Sequence, residues 1–442
     1  MNTITQLASA LIALLVLTLP LLVTAEEEKP AQVLFTNVQV FDGVKQELIA
    51  ADVLVEGNLI KQVGPGLEAS GATVVDGGGR TLTPGLIDAH THLQAVEPLG
   101  QLEFFSAQEI GVRMAPVAED MLMRGFTTVR DLCGNTHGLR RAINGGNVPG
   151  PRIVSAGACI GGWSSHADFM TDTSVKGQNN VERLGTSIIA DGPDEIRQAI
   201  RTELRNGASF IKLMIGGGLS SSYDPLDVTT MSREEIEAAV DEVTRWGTYA
   251  TAHIYSDFAL NMAMDAGMRT FEHMHFASRE VFERMKDLDM VVCTQVAVIK
   301  GLGSNPNFVT PAQQAKARYM EENGTKAFEL MRELDIPTCF GVDSFATWEG
   351  FRFNSQAIAS RKDFFSNETI LEQIFQNNRR ILGMSGERLP YRDGPLGVIE
   401  PGAYADILLV DGDPTEDVAV FADWENNINL VMKDGIIYKN TL

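Results

Sequence analysis

The chain is short of positive charge. Lys and Arg number 36 against 58 Asp and Glu, for a net charge of −22. That deficit excludes nucleic acid as a partner, because phosphate binding needs a basic surface. Beyond solubility, acidity says little else. Cysteine is also scarce, with four residues, Cys133, Cys159, Cys293 and Cys339. None has the C-x-x-C spacing of a zinc site. Each lies in or beside a separate apolar run, so they read as buried thiols, with pairing left open by the even count. No dinucleotide fingerprint is present: Gly216-Gly217-Gly218 lacks the G-x-G-x-x-G frame and a following P-loop lysine. Internal repeats and low-complexity tracts are absent as well.

Lys and Arg are missing altogether from residues 1–25. Leu11 to Val23 is nearly continuous apolar sequence, broken by Thr18 and Pro20. It is too short to span a bilayer comfortably and fits a secretory h-region, with Val23-Thr24-Ala25 as a cleavage site. Residues 1–25 are therefore expected to be a signal peptide. The mature protein would be periplasmic or secreted, with no stable membrane span. An uncleaved anchor is the rival reading. A lipid anchor is disfavoured, since no Cys follows the apolar run.

What is present divides into two patterns. Residues 26–83 and 391–442 carry short strand-like runs with turn signals that read as small antiparallel strands. Examples are Val33 to Val38, the Asp42-Gly43 turn, Val53 to Ile60, Asp406 to Val410, and Leu430 to Met432 turning at Asp434-Gly435. Two β-rich ends around a different middle predict one small β-sandwich domain assembled from both termini. Residues 84–390 alternate strands and helices, with strands expected at 86–92, 126–131, 152–158, 209–215, 249–255, 269–274, 290–295 and 337–343. Pro193 to Asn206 reads as a crossover helix, with Ile196, Ala199, Ile200 and Leu204 on one face and Gly207 just past its end. Eight strands with helical crossovers predict an α/β fold, a (β/α)8 TIM-type barrel. Residues 159–192, rich in Gly, Ser, Asp and Asn, predict a long loop after the third strand, a length that usually serves a site.

All seven histidines lie between residues 90 and 275. His90 and His92, two apart after the apolar run Leu86-Ile87-Asp88-Ala89, share one face of a strand and can grip one ion. His253, His273 and His275 also fall at expected strand C-terminal ends, the active-site face of such a barrel. Lys212, inside Phe210-Ile211-Lys212-Leu213-Met214, and Asp343, ending Phe340-Gly341-Val342, are charges in apolar strands. Burying them is costly unless they are paired or metal-bound. Alternation alone does not choose between His273 and His275. His137 lies in a post-strand loop and reads as structural or solvent-exposed.

Several motifs together resemble the amidohydrolase superfamily, specifically its imidazolonepropionase-like and prolidase-like (Xaa-Pro dipeptidase) branch. They are Gly85-Leu86-Ile87-Asp88-Ala89-His90-Thr91-His92, Thr127-Thr128-Val129-Arg130-Asp131, Gly150-Pro151-Arg152-Ile153, Phe210-Ile211-Lys212, Ala252-His253, Phe271-Glu272-His273, Gly341-Val342-Asp343 and Gly402 to Leu408. The resemblance implies two divalent metal ions, with zinc expected and manganese or cobalt also suited to N/O ligands. It implies that His90, His92 and Asp343 hold the more buried metal, and that His253 and His273 hold the second. Lys212, carboxylated by CO2, would bridge the two. A carbamate there removes the repulsion between an ammonium and two cations; an unmodified Lys212 paired with an acid would instead fit a single ion. The family pattern selects His273 as ligand and leaves His275 to the substrate side or behind it. Tyr255 and His166 are the implied donors to a substrate carboxylate. His166 sits in Ser164-Ser165-His166-Ala167-Asp168, where relatives often carry Gly-Gly-His-Gly-Asp, and plain loop packing is its alternative role.

The expected activity is hydrolysis of an amide C–N bond of a small-molecule substrate by a hydroxide bridging the metals, with Asp343 as the proton-transferring catalytic residue. Dipeptides, including Xaa-Pro, or N-acyl amino acids are the expected substrates. A cyclic amide or imidazolone hydrolase is the alternative, and a non-catalytic metal- or ligand-binding barrel is the non-enzyme rival. A homo-oligomer is compatible with either.

Overall fold

The structure is a computed structural model that describes residues 31–169, 180–299, 310–345 and 348–442. The expected leader lies outside these residues, as does part of the expected long loop. Among the described residues no helix is long and apolar enough to cross a membrane.

Eight parallel strands form the barrel: Leu86–Thr91, Phe126–Asp131, Arg152–Ser155, Ile211–Met214, Ala250–Ile254, Glu272–His273, Val292–Thr294 and Thr338–Phe340. Every residue in them is buried, as expected of a parallel sheet covered on its outer face by helices. The third strand reaches the fourth through Ser209 N–H, which donates to the Ser155 carbonyl at 2.8 Å, and the short strand Cys159–Gly161 that follows it pairs Ile160 with Leu213. The barrel closes where Asp343 N–H donates to the His90 carbonyl at 2.7 Å and Thr91 bridges Ser344. Each strand falls within its sequence-predicted window. The helix Pro193–Asn206 also forms as read. Its apolar face is buried, and Gly207 ends it at φ 105°, a left-handed cap that glycine adopts without Cβ strain.

The chain termini meet in a second, eight-stranded sheet. Thr81–Pro84 pairs antiparallel with Ile407–Val410, and Phe35, Val53, Leu82, Leu409 and Leu430 are among the side chains that fill its core. Two details differ from the sequence reading. The run from Val53 to Ile60 breaks at Gly57 and Asn58 into a hairpin of Leu48–Glu56 and Leu59–Gly64, with Gly57 at φ 63°. Thr73–Asp76 and Thr81–Pro84 lie parallel, not antiparallel, to Gln32–Phe41, because the chain returns to that strand through a longer crossover. The barrel and this sheet are joined by a buried ion pair. Arg152 Nε donates to Asp406 Oδ2 at 2.9 Å, and its guanidinium stacks 3.8 Å from the Tyr404 ring centroid. Removing one partner of such a pair typically costs about 3–5 kcal/mol.

The cysteine reading needs one correction. Cys293 and Cys339 stand opposite one another on neighbouring strands, with Cα atoms 4.8 Å apart, and form a disulfide. Strand register brings them together, and spacing in the chain carries no sign of it. Cys133 and Cys159 are free and buried. The segment after the third strand is more ordered than a plain loop: Cys159–Gly161 pairs in parallel with Ser187–Ile189. Gly161 allows this crowding, since a Cβ there would lie 2.5 Å from Ser165 Oγ.

Candidate metal centre and active-site cavity

A cavity partly open to solvent lies at the C-terminal ends of the barrel strands. Its lining includes His90, His92, His166, Lys212, His253, Tyr255, His273 and Asp343. Eight of the nine candidate residues thus converge from six separate parts of the chain. His275, the ninth, does not line it. The backbone explains the difference. His273 and Met274 both adopt left-handed conformations, at φ 74° and 54°, so the expected alternation fails at this strand end. The His273 ring turns into the cavity, while His275 is buried against Tyr255 and Phe328 at centroid distances of 5.9 and 5.6 Å. His137 is buried, not solvent-exposed, because it opens the helix His137–Asn144 with its ring turned toward Glu203, 3.6 Å away.

The deepest part of the site is held by strand ends. His90 Nδ1 pairs with Glu272 Oε2 at 2.8 Å, and Glu272 Oε1 accepts from Arg130 Nη1 and Thr251 Oγ1, each at 2.8 Å. Burial opposes ionisation of Glu272, but Arg130 and His90 outweigh it and hold the carboxyl well below its ordinary range. That carboxylate fixes the His90 tautomer and orientation, the usual outer support of a metal-ligating histidine. His90 Nε2 is left buried without a hydrogen bond. Asp343, set at φ 65°, turns its carboxylate to within 2.9 Å of His92 Nε2 and 3.5 Å of His90 Nε2. Burial opposes its ionisation too, and His90 and His92 overcome that. Ligand atoms of His90, His273 and Asp343 all lie within 4.8 Å of one another, a group able to hold a metal ion.

Beside it, His253 Nε2 is engaged by the Gly217 carbonyl at 2.9 Å, which leaves Nδ1 for a ligand. Its ring centroid is 4.2 Å from that of His273. Burial pulls His90 to about 4 and takes His253 and His273 well below the ordinary histidine value. These rings are therefore neutral at pH 7, the form that binds metal. Lys212 is buried, and burial lowers its pKa. Among the described residues it makes no hydrogen bond or ion pair, while the charges of Glu272 and Asp343 act on it from nearby and oppose the effect of burial. An orphaned His90 Nε2, neutral imidazoles and a carboxylate make up a donor set that fits divalent metal ions of the zinc, manganese or cobalt kind.

The other half of the cavity is built from loops. His166 Nδ1 pairs with Ser221 Oγ at 2.7 Å, and its ring lies 4.2 Å from His253. The glycine run that carries no nucleotide signature has its own role here. A Cβ at Gly218 would stand 2.1 Å from His166 Nδ1, and one at Gly217 would stand 1.9 Å from the Pro225 carbonyl. Glu272 and Arg130 lie within the motifs named above, but no role for either was legible in the chain. Arg130, next to Asp131, and Glu272, next to His273, are charged residues inside expected strand windows, and that was the available signal. Ser221 and Asp224 left no comparable mark.

Residues 81–437 match the model of the amidohydrolase family. Ochratoxinase from Aspergillus niger is 27% identical over 377 residues, covering 81% of this chain and 75% of that protein. A solved amidohydrolase superposes with a TM-score of 0.85 at 32% identity, and a prolidase complexed with N-methylphosphonate-L-proline with 0.86 at 29%; each covers 93% of this chain and 100% of the other. The barrel and its histidine-lined cavity are those of a hydrolase. The chain belongs to the amidohydrolase family.

Proposed function

We propose that this protein is an exported binuclear metal-dependent hydrolase that cleaves the amide bond of dipeptides or N-acyl amino acids bearing a free carboxylate on the amine side. The observation that carries the reading is the convergence of His90, His92, Lys212, His253, His273 and Asp343 on one cavity, next to a buried Glu272 that supports His90. In this reading His90, His92 and Asp343 hold one ion, His253 and His273 the other, and a carbamate on Lys212 joins them. When bound, the ions would polarise the scissile carbonyl and lower the pKa of a water from about 15.7 toward 7.

The chain's own residues supply the remaining steps. Asp343 accepts the proton of the attacking water and passes it to the leaving nitrogen, a transfer suited to a carboxylate placed beside the reacting atoms. Tyr255 and His166 donate to the substrate carboxylate. Burial keeps the Tyr255 hydroxyl protonated by raising its pKa well above the ordinary value, so it remains a donor. The rest of the lining is uncharged: Ala95 and Phe345 stand on the His92 side, with the Phe345 ring 6.3 Å away, and Phe169 stands 5.9 Å from the His166 ring. Lys212 and Asp343 are the charged lining side chains among the described residues, and both are committed to the metals in this reading. Uncharged side chains on both sides of the scissile bond are favoured accordingly. The solved prolidase with a ligand built on L-proline supports proline as one acceptable amine-side residue.

The test is a dipeptide set offered to the metal-loaded protein as free acids and as C-terminal amides. Preferential turnover of the free acids supports the reading. Equal turnover of both forms contradicts it and favours a general or cyclic-amide hydrolase.

A further inference from the structure

The loop after the fourth barrel strand is fastened from a distance. Lys316, on the helix Pro311–Asn323, is partly buried, and its ammonium donates to the carbonyls of Gly218, of Ser221 at 2.8 Å and of Asp224 at 3.1 Å. One turn earlier on the same helix, Gln313 Nε2 donates to the Ser220 carbonyl at 2.7 Å. Four carbonyls of one short loop are thus gathered by two side chains of a single helix. Inside the loop, the buried Asp224 accepts from Gly218 N–H at 2.6 Å through Oδ2, and the same oxygen lies 3.7 Å from His166 Nδ1. Its other oxygen has no hydrogen bond and stands 3.9 Å from Lys316 Nζ. Ser221 Oγ meets His166 Nδ1 at 2.7 Å. His166 Nε2 makes no hydrogen bond to a described residue, and the ring lines the cavity.

We propose that Lys316, Asp224 and Ser221 form a clamp that positions His166 for the substrate carboxylate, making Lys316 a positioning residue that acts from outside the cavity. The inference rests on the reading of His166 given above. Lys316 offsets the partial negative charge of the converging carbonyls and of Asp224, which would otherwise repel one another in a site largely shielded from water. The loop then holds Gly218 flat against the His166 ring. The hydrogen bond between Ser221 Oγ and Nδ1 fixes the rotation of the ring and leaves Nε2 for the substrate carboxylate. The same loop also presents Leu219 and Ser220 to the cavity and the Gly217 carbonyl to His253. A shift of this loop therefore reaches substrate binding before it reaches the strand-held ligands.

The experiment measures kcat, KM and metal content for Lys316→Met, Lys316→Arg and Ser221→Ala in the metal-loaded full protein. Each is assayed with a free-acid dipeptide and with its C-terminal amide. Lys316→Met and Ser221→Ala are expected to raise KM for the free acid by about fivefold to tenfold, the scale of one lost hydrogen bond. KM for the amide should change by less than about twofold, with metal content unaltered, and Lys316→Arg should recover part of the loss. If both substrates suffer equally in the two variants, or if metal content falls with activity, the clamp is a general structural support and the inference is overturned. Should Lys316→Met fail to fold, Ser221→Ala alone decides between those outcomes, since it deletes only a hydroxyl next to His166. A wild-type protein that treats acid and amide alike would overturn the functional reading itself, before any variant is considered.

Discussion

The two halves of the cavity are made in different ways. On one side His90, Asp343, Glu272 and Arg130 lie at barrel strand ends, fully framed by backbone ladders and by one another. On the other, His166, Ser221 and Asp224 are carried by loops and fixed by side chains from a helix distant in sequence. A strand end places a side chain by a period of two, which the chain displays openly. A loop places it by particular hydrogen bonds and close approaches, which it does not. Reactivity is accordingly assigned to the rigid half, and discrimination between substrates to the half that loop changes can alter.

If that division holds, substitutions in the two halves should have different signatures. The largest effect is expected for Asp343→Asn, which keeps the shape but loses the proton acceptor. Its kcat should fall by about 10² to 10⁴ with KM nearly unchanged; a loss confined to KM would erase the distinction between the halves. Glu272→Gln comes next. It removes the carboxylate that orients His90 without touching the cavity, and metal affinity should drop by about 10- to 100-fold in a chelator competition titration. Unchanged affinity would mean that His90 needs no such support.

The loop half should respond more mildly and through KM. Gly218→Ala forces a methyl into a space where His166 Nδ1 would be 2.1 Å away, so the ring must move. KM for a free-acid dipeptide should rise by about tenfold, with metal content intact. Tyr255 follows the strand Ala250–Ile254 but is assigned to the same substrate carboxylate, and Tyr255→Phe is the smallest change. It should raise KM for the free acid by about threefold to tenfold and leave the blocked analogue almost unaffected. Equal effects on both substrates would take the hydroxyl out of carboxylate recognition.

The same contrast explains what could be read from the chain beforehand. All eight barrel strands were legible because most lie in short runs rich in apolar or β-branched residues between turn signals, and His90, His92, Lys212 and Asp343 stood out as polar groups within or at the end of such runs. Alternation failed at His273 and His275, where two left-handed residues end the strand. No propensity of His or Met announces that conformation. The Cys293–Cys339 pair depends on the register between neighbouring strands, and the Arg152–Asp406 link on how the terminal sheet sits against the barrel. Both are tertiary facts. The tie from Lys316 to the 218–224 loop spans about 90 positions of sequence, as 92 to 98 separate its partners, and an ordinary lysine on an amphipathic helix gives no hint of it.

The central claim is a two-ion site formed by the strand-end residues, and metal stoichiometry tests it most directly. Elemental analysis of the purified, metal-loaded protein should approach two divalent ions per chain. His90→Ala should lower that number and abolish hydrolysis together. A wild-type protein that is fully active after exhaustive chelation, with no bound metal, would contradict the account.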